Sequence, residues 1–537
     1  MSTTQPDRPY SQPEIRQSAL SNQREPFVPP RQVLDMVSGR FLDPGTALAV
    51  NGVRPRSTVY VGPRLIVAET PDAPEVIARL QAVADSLGWV ATVHTDDQEK
   101  TRAITDDRDV VPGVIRLDLT VKDEKATITP DGWVLLQNAR ALYGIPAMSR
   151  VGLDHIVLLR SIDPNPFHHP SPFHHPSPFH HPSGVGETLS DAVSSYGVPG
   201  SGGRQPVAYA GPAPQRRAAY QISGRRPVVA TLDTGCGKHA WLDNVVKRGP
   251  DLDSKPIGYV DDETDPETWF DQVGALDGGI DALAGHGTFI AGLIHQACPD
   301  ADIVTWRIVG SDGPVVESDM VNALRGIAEL ARRHRDGKEG GLAIDVFSLS
   351  MGYYHETPED LQFDPTLYDI LRLMGECGVT VVCSAGNDAT ARPMFPAAFT
   401  PWKDGKGGVP ATKNCVPVLS VGALNPNGTD ALFSNAGPWV RAYAPGAAVL
   451  STIPPTFEGG LEPAARSEAY QRIRESIDPD DFGGGFAVWS GTSFAAPLFA
   501  GRVAAQLVDR VDPDKDDRAA AVERAWQALT GITDLAP

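Results

Sequence analysis

The chain has 537 residues, 41% hydrophobic and 21% charged, an ordinary composition for a folded protein with ample apolar material for a core. Lys and Arg number 47 against 67 Asp and Glu, and the resulting net charge of -20 argues against nucleic acid as the main partner, because a phosphate-binding surface would have to work against that field. No run of about 18 apolar residues occurs, which argues against a spanning helix and a membrane partner.

Residues 1–44 are polar and proline-rich and read as a disordered tail. They contain no apolar segment of the signal-peptide kind. The five cysteines (236, 298, 377, 383 and 415) lack metal-ligand spacing, so the expectation is a cytoplasmic protein with reduced thiols.

Residues 45–162 read as a small α+β domain. STVYVGPRLIVA is strand material. In TPDAPEVIARLQAVADSLG, Val76, Leu80, Val83 and Leu87 share one helical face, with Asp72 and Glu75 placed as a capping box and Gly88 as a stop. WVATVHT, GVIRLDLTV, WVLLQNARALYG and LDHIVLLRS suggest three or four further strands and one more helix.

Residues 163–224 turn to Pro, Gly, Ser and His and read as a linker. The unit PFHHPS is written three times from Pro166 to Ser183 and carries six of the 13 histidines. Proline at both ends of each unit favours an extended path that sets equivalent histidine pairs roughly 19 Å apart, too far for one ion unless the chain folds back. A spacer is the favoured reading, and a metal-binding protein built on the repeat is the alternative.

From residue 225 to 537, short apolar runs (VVATL, ADIVTWRIV, AIDVFSLS, GVTVVCSA, CVPVLSVGA, AAVLST) alternate with the helical patterns SDMVNALRGIAELARRH and PTLYDILRLMGECG. Runs that are apolar throughout are what strands buried on both faces show, so the region reads as α/β: a doubly wound, mostly parallel sheet with helices on both faces.

Three turns in this region carry candidate chemistry. Asp233 ends VVATLD before a Thr-Gly turn, His286 stands between two glycines where a buried helix begins, and Ser493 opens another buried helix among small residues. Each alone has a plain reading as a strand end, a core histidine or a helix cap. Together they form the set that nucleophilic catalysis needs: a hydroxyl, an imidazole base, and a carboxylate to fix the base's tautomer.

The region resembles the subtilisin-like serine peptidases, the subtilases. The resemblance rests on D-T-G at 233–235, G-H-G-T at 285–288 with the following A-G, S-A-G-N at 384–387 and G-T-S-F-A-A-P at 491–497, and spans roughly residues 225–510. It implies a subtilisin-like fold and a serine endopeptidase acting on protein or peptide substrates, with Ser493 as nucleophile, His286 as base and then acid, Asp233 as its orienting partner and Asn387 as the oxyanion-hole amide. It further implies that Ser350, Met351 and Gly352 form the edge strand that binds extended substrate, and that Ser384, Ala385 and Gly386 form the opposite wall of the pocket. This chemistry requires no cofactor and no metal. Structural calcium is left open: many members bind it, but no spacing here matches a calcium loop, and the acidic stretches 261–271 and 474–485 read as solvated surface insertions.

For residues 45–162 two readings stand. One is a prodomain-like inhibitor of the cleft, removed in the linker at the exposed basic sites QRR (215–217) or GRR (224–226); the other is a retained adaptor that recruits a partner. A non-catalytic scaffold with a protease fold is the remaining alternative. Cys236, three residues after Asp233, is read as an inert neighbour, the alternative being a thiol that modulates the site when oxidised.

Overall fold

The computed structural model describes residues 25–50, 54–98, 111, 113–122, 128–159, 193–273, 276, 278–310, 313–357 and 365–537. Most of the polar tail and all of the PFHHPS repeat lie outside the described residues.

The N-terminal domain runs α1 (Arg31–Met36), β1 (Gly39–Leu42), β2 (Thr58–Ala68), α2 (Ala73–Ser86), β3 (Trp89–Val93), β4 (Val114–Val121), α3 (Gly132–Tyr143) and β5 (Val151–Leu159). All its strand pairs are antiparallel, with β2 between β4 and β5. One sheet face packs on α2 and α3 through Leu65, Leu80, Leu117, Leu135 and Leu153. WVLLQNARALYG is the extra helix: the Asp131 side chain accepts from Val134 N and caps its start. The capping box expected on α2 does not form. Asp72 is engaged by the Thr70 hydroxyl, Glu75 pairs with Arg79 one turn on, and proline in the first turn removes a donor. The helix does stop at Gly88, whose φ of 75° few other residues adopt.

The second domain follows as β6 (Gln205–Val207), β7 (Val228–Asp233), β8 (Val246–Arg248), α4 (His286–Ala297), β9 (Asp302–Arg307), β10 (Val315–Val316), α5 (Glu317–Arg335), β11 (Val346–Leu349), β12 (Met351–Gly352), α6 (Pro365–Glu376), β13 (Thr380–Ser384), β14 (Leu419–Leu424), β15 (Ala442–Pro445), β16 (Val449–Thr452), β17 (Arg466–Ala469), β18 (Arg472–Glu475), β19 (Phe486–Trp489), α7 (Thr492–Leu507) and α8 (Arg518–Thr530). Seven strands form one parallel sheet in the order β15-β14-β13-β11-β7-β9-β8.

The apolar runs explain the layering. Along β7 and β11, Ala230, Leu232, Phe347 and Leu349 enter the cluster shared with α5 and α6, whereas Val229 and Val346 enter the one shared with α4 and α7. Helices therefore cover both faces, as a doubly wound sheet requires. From β7 the chain builds outward in both directions, so the carboxyl end of β7 is a topological switch point, where such sheets expose functional groups.

Further expectations change: residues 31–42, read as part of the disordered tail, form α1 and β1, with β1 paired to β2, and residues 205–207, read as linker, form β6, paired to β19. AAVLST is not part of the main sheet; it supplies β16, antiparallel to β19 in a three-stranded sheet with β6, while the main sheet's edge is the short, proline-ended β15. The basic pairs at 216–217 and 225–226 are not free surface arginines. Arg216 pairs with Asp302, Arg217 with Asp300 and Asp509, Arg225 with Asp345 and Asp516, and Arg226 with Asp300.

The free face of the N-terminal sheet lies against the second domain. Ile66, Val114, Val157 and Leu159 share one buried cluster with Ile257, Met320, Val321 and Leu324, so α5 is covered by both domains. At the edge, β5 pairs antiparallel with β10 and then with β12, Leu159 opposite Met351 and Leu158 opposite Gly352.

Candidate functional site

Asp233, the last residue of β7, is 1% exposed. Its Oδ1 accepts from His286 Nδ1 at 2.7 Å and from Thr234 N at 2.8 Å, so the carboxylate fixes one ring nitrogen as a donor. The other, Nε2, has no hydrogen-bond partner among the described residues. A His held in this way presents a lone pair to whatever approaches Nε2.

His286 is the first residue of α4, and the close approach of α4 to the Asp233 turn depends on Gly287. A Cβ there would meet Gly235 O at 2.1 Å, an impossible distance. The imidazole packs against Trp489 and Phe494, with ring centroids 5.9 and 5.2 Å away. Phe494 directly follows Ser493, so the His286 imidazole and the hydroxyl-bearing helix α7 are packed together.

Ser493 lies in the first turn of α7, where backbone N–H groups lack intrahelical acceptors. Its Oγ donates to Ser350 O at 3.3 Å, and Ser350 Oγ donates back to Ser493 O at 2.9 Å. The hydroxyl is thus tied to the residue just before β12. Asn387 approaches from the end of β13. Its Oδ1 accepts from Thr492 N and Thr492 Oγ1, each at 2.8 Å, which leaves the amide nitrogen as its donor end beside Gly491. The backbone before Asn387 needs glycine: Gly386 has φ 98°, and a Cβ there would meet Asn435 Nδ2 at 2.4 Å. Asn435 braces the same turn by donating to Ala385 O at 2.8 Å.

The structure therefore brings Asp233, His286, Asn387 and Ser493 to one end of the sheet. Ser350, Met351 and Gly352 border Ser493 on one side, and Ser384, Ala385 and Gly386 lead into Asn387; all six are buried.

One functional residue was missed from sequence. Glu267, in the stretch read as a solvated acidic insertion, is 3% exposed. It accepts from the hydroxyls of Thr234 and Thr288 and from Gly287 N at 2.8 Å, linking the Asp233 turn to the start of the His286 helix. Burial pushes its carboxyl up from the usual range, against the pull of those donors. The available signal was indirect. The N-cap of α4 is Gly285, which has no side chain to offer, so the helix's first N–H groups require an outside acceptor. Cys236 is unpaired, as are the other four cysteines; burial first, then the charge of Glu267, pushes its thiol up, away from reactivity.

The sequence profile of the subtilase family, Peptidase S8, matches residues 224–525. Among curated relatives, the intracellular serine protease of Paenibacillus polymyxa is 28% identical over 53% of this chain and 67% of its own length. The major intracellular serine protease of Bacillus subtilis (strain 168) is 25% identical over 45% and 65%, and an extracellular protease of Xanthomonas campestris 27% identical over 56% and 46%. The chain thus spans about half to two thirds of the length of these relatives. Among solved structures, fervidolysin from Fervidobacterium pennivorans aligns with 86% of this chain and 56% of its own at 20% identity and a TM-score of 0.42. No helix of the described residues is long and apolar enough to cross a membrane.

Proposed function

Since the chain belongs to the subtilase family, we propose that it is a serine endopeptidase working through Asp233, His286, Ser493 and Asn387. The observation that carries the assignment of roles is the Asp233–His286 hydrogen bond of 2.7 Å with Nε2 left open beside the helix that carries Ser493. His286 Nε2 takes the proton as Ser493 Oγ attacks the scissile carbonyl, and Asp233 holds the tautomer and stabilises the imidazolium. The Asn387 amide and the Ser493 backbone N–H at the start of α7 are the donors for the oxyanion. The same imidazolium then protonates the leaving amine, and water, activated by His286, releases the acyl group. Hydrogen bonds of this kind tighten when substrate binds, so the open Nε2 fits a resting site.

Strand β12 is the surface that extended substrate would pair with, and β5 of the N-terminal domain already pairs with it. That observation favours the inhibitor reading of residues 45–162 over the adaptor reading: Leu158 and Leu159 sit where a substrate strand would lie, one residue short of the register of Ser350. The relatives named as intracellular favour a cytoplasmic location. Labelling with a fluorophosphonate tests the chemistry. The parent chain, once its cleft is open, labels and cleaves a peptide library, and Ser493→Ala does neither; cleavage retained in Ser493→Ala removes Ser493 from the mechanism.

A further inference from the structure

Four residues before Leu159, β5 places His155 at the boundary between the domains. The ring is fully buried and stacks on Tyr353 with centroids 4.5 Å apart. Its Nδ1 lies 2.6 Å from Glu317 Oε2, on the first residue of α5, and its Nε2 lies 2.9 Å from Glu356 Oε2, four residues beyond β12. An ionised carboxylate only accepts, so a ring whose two nitrogens both face carboxylates must donate from both. With both carboxylates ionised, His155 is an imidazolium, contributed by one domain and held by two glutamates of the other. Both ring nitrogens being committed to protons, no lone pair remains for a metal ion.

The surrounding charges are consistent with this. From α3, Arg140 faces Glu356; from β2, Tyr60 lies opposite His155 with its hydroxyl on Asp131, itself paired with Arg40. His355 neighbours Glu356 at 3.5 Å, with Nδ1 beside the Thr357 N–H and hydroxyl. The neighbouring Asp154 turns instead to Ser318 and Arg64. Burial alone would lower the His155 pKa, but Glu317 and Glu356 hold it well above the ordinary value. The Glu356 carboxyl, which burial would raise, is held far below its range by His355, His155 and Arg140.

We propose that closure of the cleft by the N-terminal domain takes up one proton at His155, so that closure is strong at acid pH and weakens as the solution becomes alkaline. The proposal rests on the reading of that domain as an inhibitor and names what regulates it. Undocked, His155 returns to its ordinary pKa of about 6.5. A pKa raised in the docked state gives stabilisation that is complete below the undocked value and is lost as pH rises through the docked one. Between the two, docking weakens about tenfold per pH unit.

The test is hydrogen exchange on the full-length Ser493→Ala chain from pH 5 to 9, corrected for intrinsic rates and followed at residues 151–159 and 351–354. Protection is expected to be flat to about pH 6.5 and then to fall about tenfold per unit. In His155→Gln it is weaker and flat throughout. Glu317→Gln keeps an acceptor oxygen and folds with least disturbance; it ends the sloping window at lower pH. Protection that is present but equally flat in parent and variants overturns the proposal while leaving the inhibitor reading intact. Protection that is lost on adding EDTA overturns it in favour of a metal site. Absence of protection at every pH removes the inhibitor reading, and the proposal with it.

Discussion

Leu159, the last residue of β5, lies opposite Met351 in an antiparallel ladder, and Met351 is next to Ser350, whose carbonyl accepts from the Ser493 hydroxyl. The strand proposed to align substrate is therefore paired with the chain's own N-terminal domain, one residue from the partner of Ser493, the proposed nucleophile. Leu159→Pro removes a backbone N–H from the strand opposite Met351 and disturbs the packing there. Full-length Leu159→Pro is expected to start cleaving a fluorogenic peptide on the order of tenfold faster than the parent, corresponding to a loss of about 1 kcal/mol or slightly more of docking energy. An unchanged initial rate would mean that β5 does not limit access.

Asn387→Ala removes the side-chain donor proposed for the oxyanion. Turnover should fall by about 10²- to 10³-fold with KM little altered, since the interaction is made in the transition state and not in the ground state. A change confined to KM would assign Asn387 to substrate binding.

Glu267→Ala tests the link between the Asp233 turn and α4. It takes the buried carboxylate away from three donors: Gly287 N keeps Thr234 Oγ1 and the Thr234 hydroxyl keeps Asp233 Oδ1, but the Thr288 hydroxyl loses its acceptor, at a cost of about 1–3 kcal/mol in unfolding free energy. Glu267→Gln retains an acceptor and should recover most of the stability. Denaturant titrations of both variants decide this, and equal losses would point to the charge and not the hydrogen bonds.

These cases mark what was legible in the sequence. Asp233, His286 and Asn387 were readable because each sits in a short turn whose neighbouring glycine, Gly235, Gly287 or Gly386, meets a local backbone need, and Ser493 because small residues surround it where a buried helix begins. The parallel sheet was readable because strands such as VVATLD are apolar on both faces. Glu267 and His155 were not, since their partners are 20 and more than 160 residues away and no local pattern announces such contacts. WVLLQNARALYG was ambiguous because its apolar run suits a strand and a helix equally, and only the Asp131 cap and the packing against β2 decide. The arginines at 216–217 and 225–226 looked exposed because nothing in the linker shows that aspartates from three other segments surround them.

Arg335 bears on acid stability. It is buried, pairs with Asp345 at 3.1 Å and with Asp516, and donates to Cys377 O and Ile344 O. Burial would raise both carboxyls, but at Asp345 the arginines Arg225 and Arg335, and at Asp516 His334 together with those arginines, hold them below the usual range. A depressed carboxyl adds stability above its unfolded value of about 3.9 and loses it as pH falls further. Unfolding free energy should therefore drop steeply below about pH 4. Arg335→Ala should cost about 2–3 kcal/mol at neutral pH, because Asp345 and Asp516 each lose one buried charged hydrogen-bond donor while keeping Arg225. Urea titrations across pH check both expectations.

The most direct measurement is the intact mass of freshly purified protein followed over time, for the parent chain and for Ser493→Ala in parallel. The account predicts that the parent converts to a fragment beginning after Leu159 as peptidase activity appears, while Ser493→Ala stays at full length and inactive. A parent that keeps its full-length mass while fully active, or a Ser493→Ala chain that is cut at the same place in isolation, would contradict it.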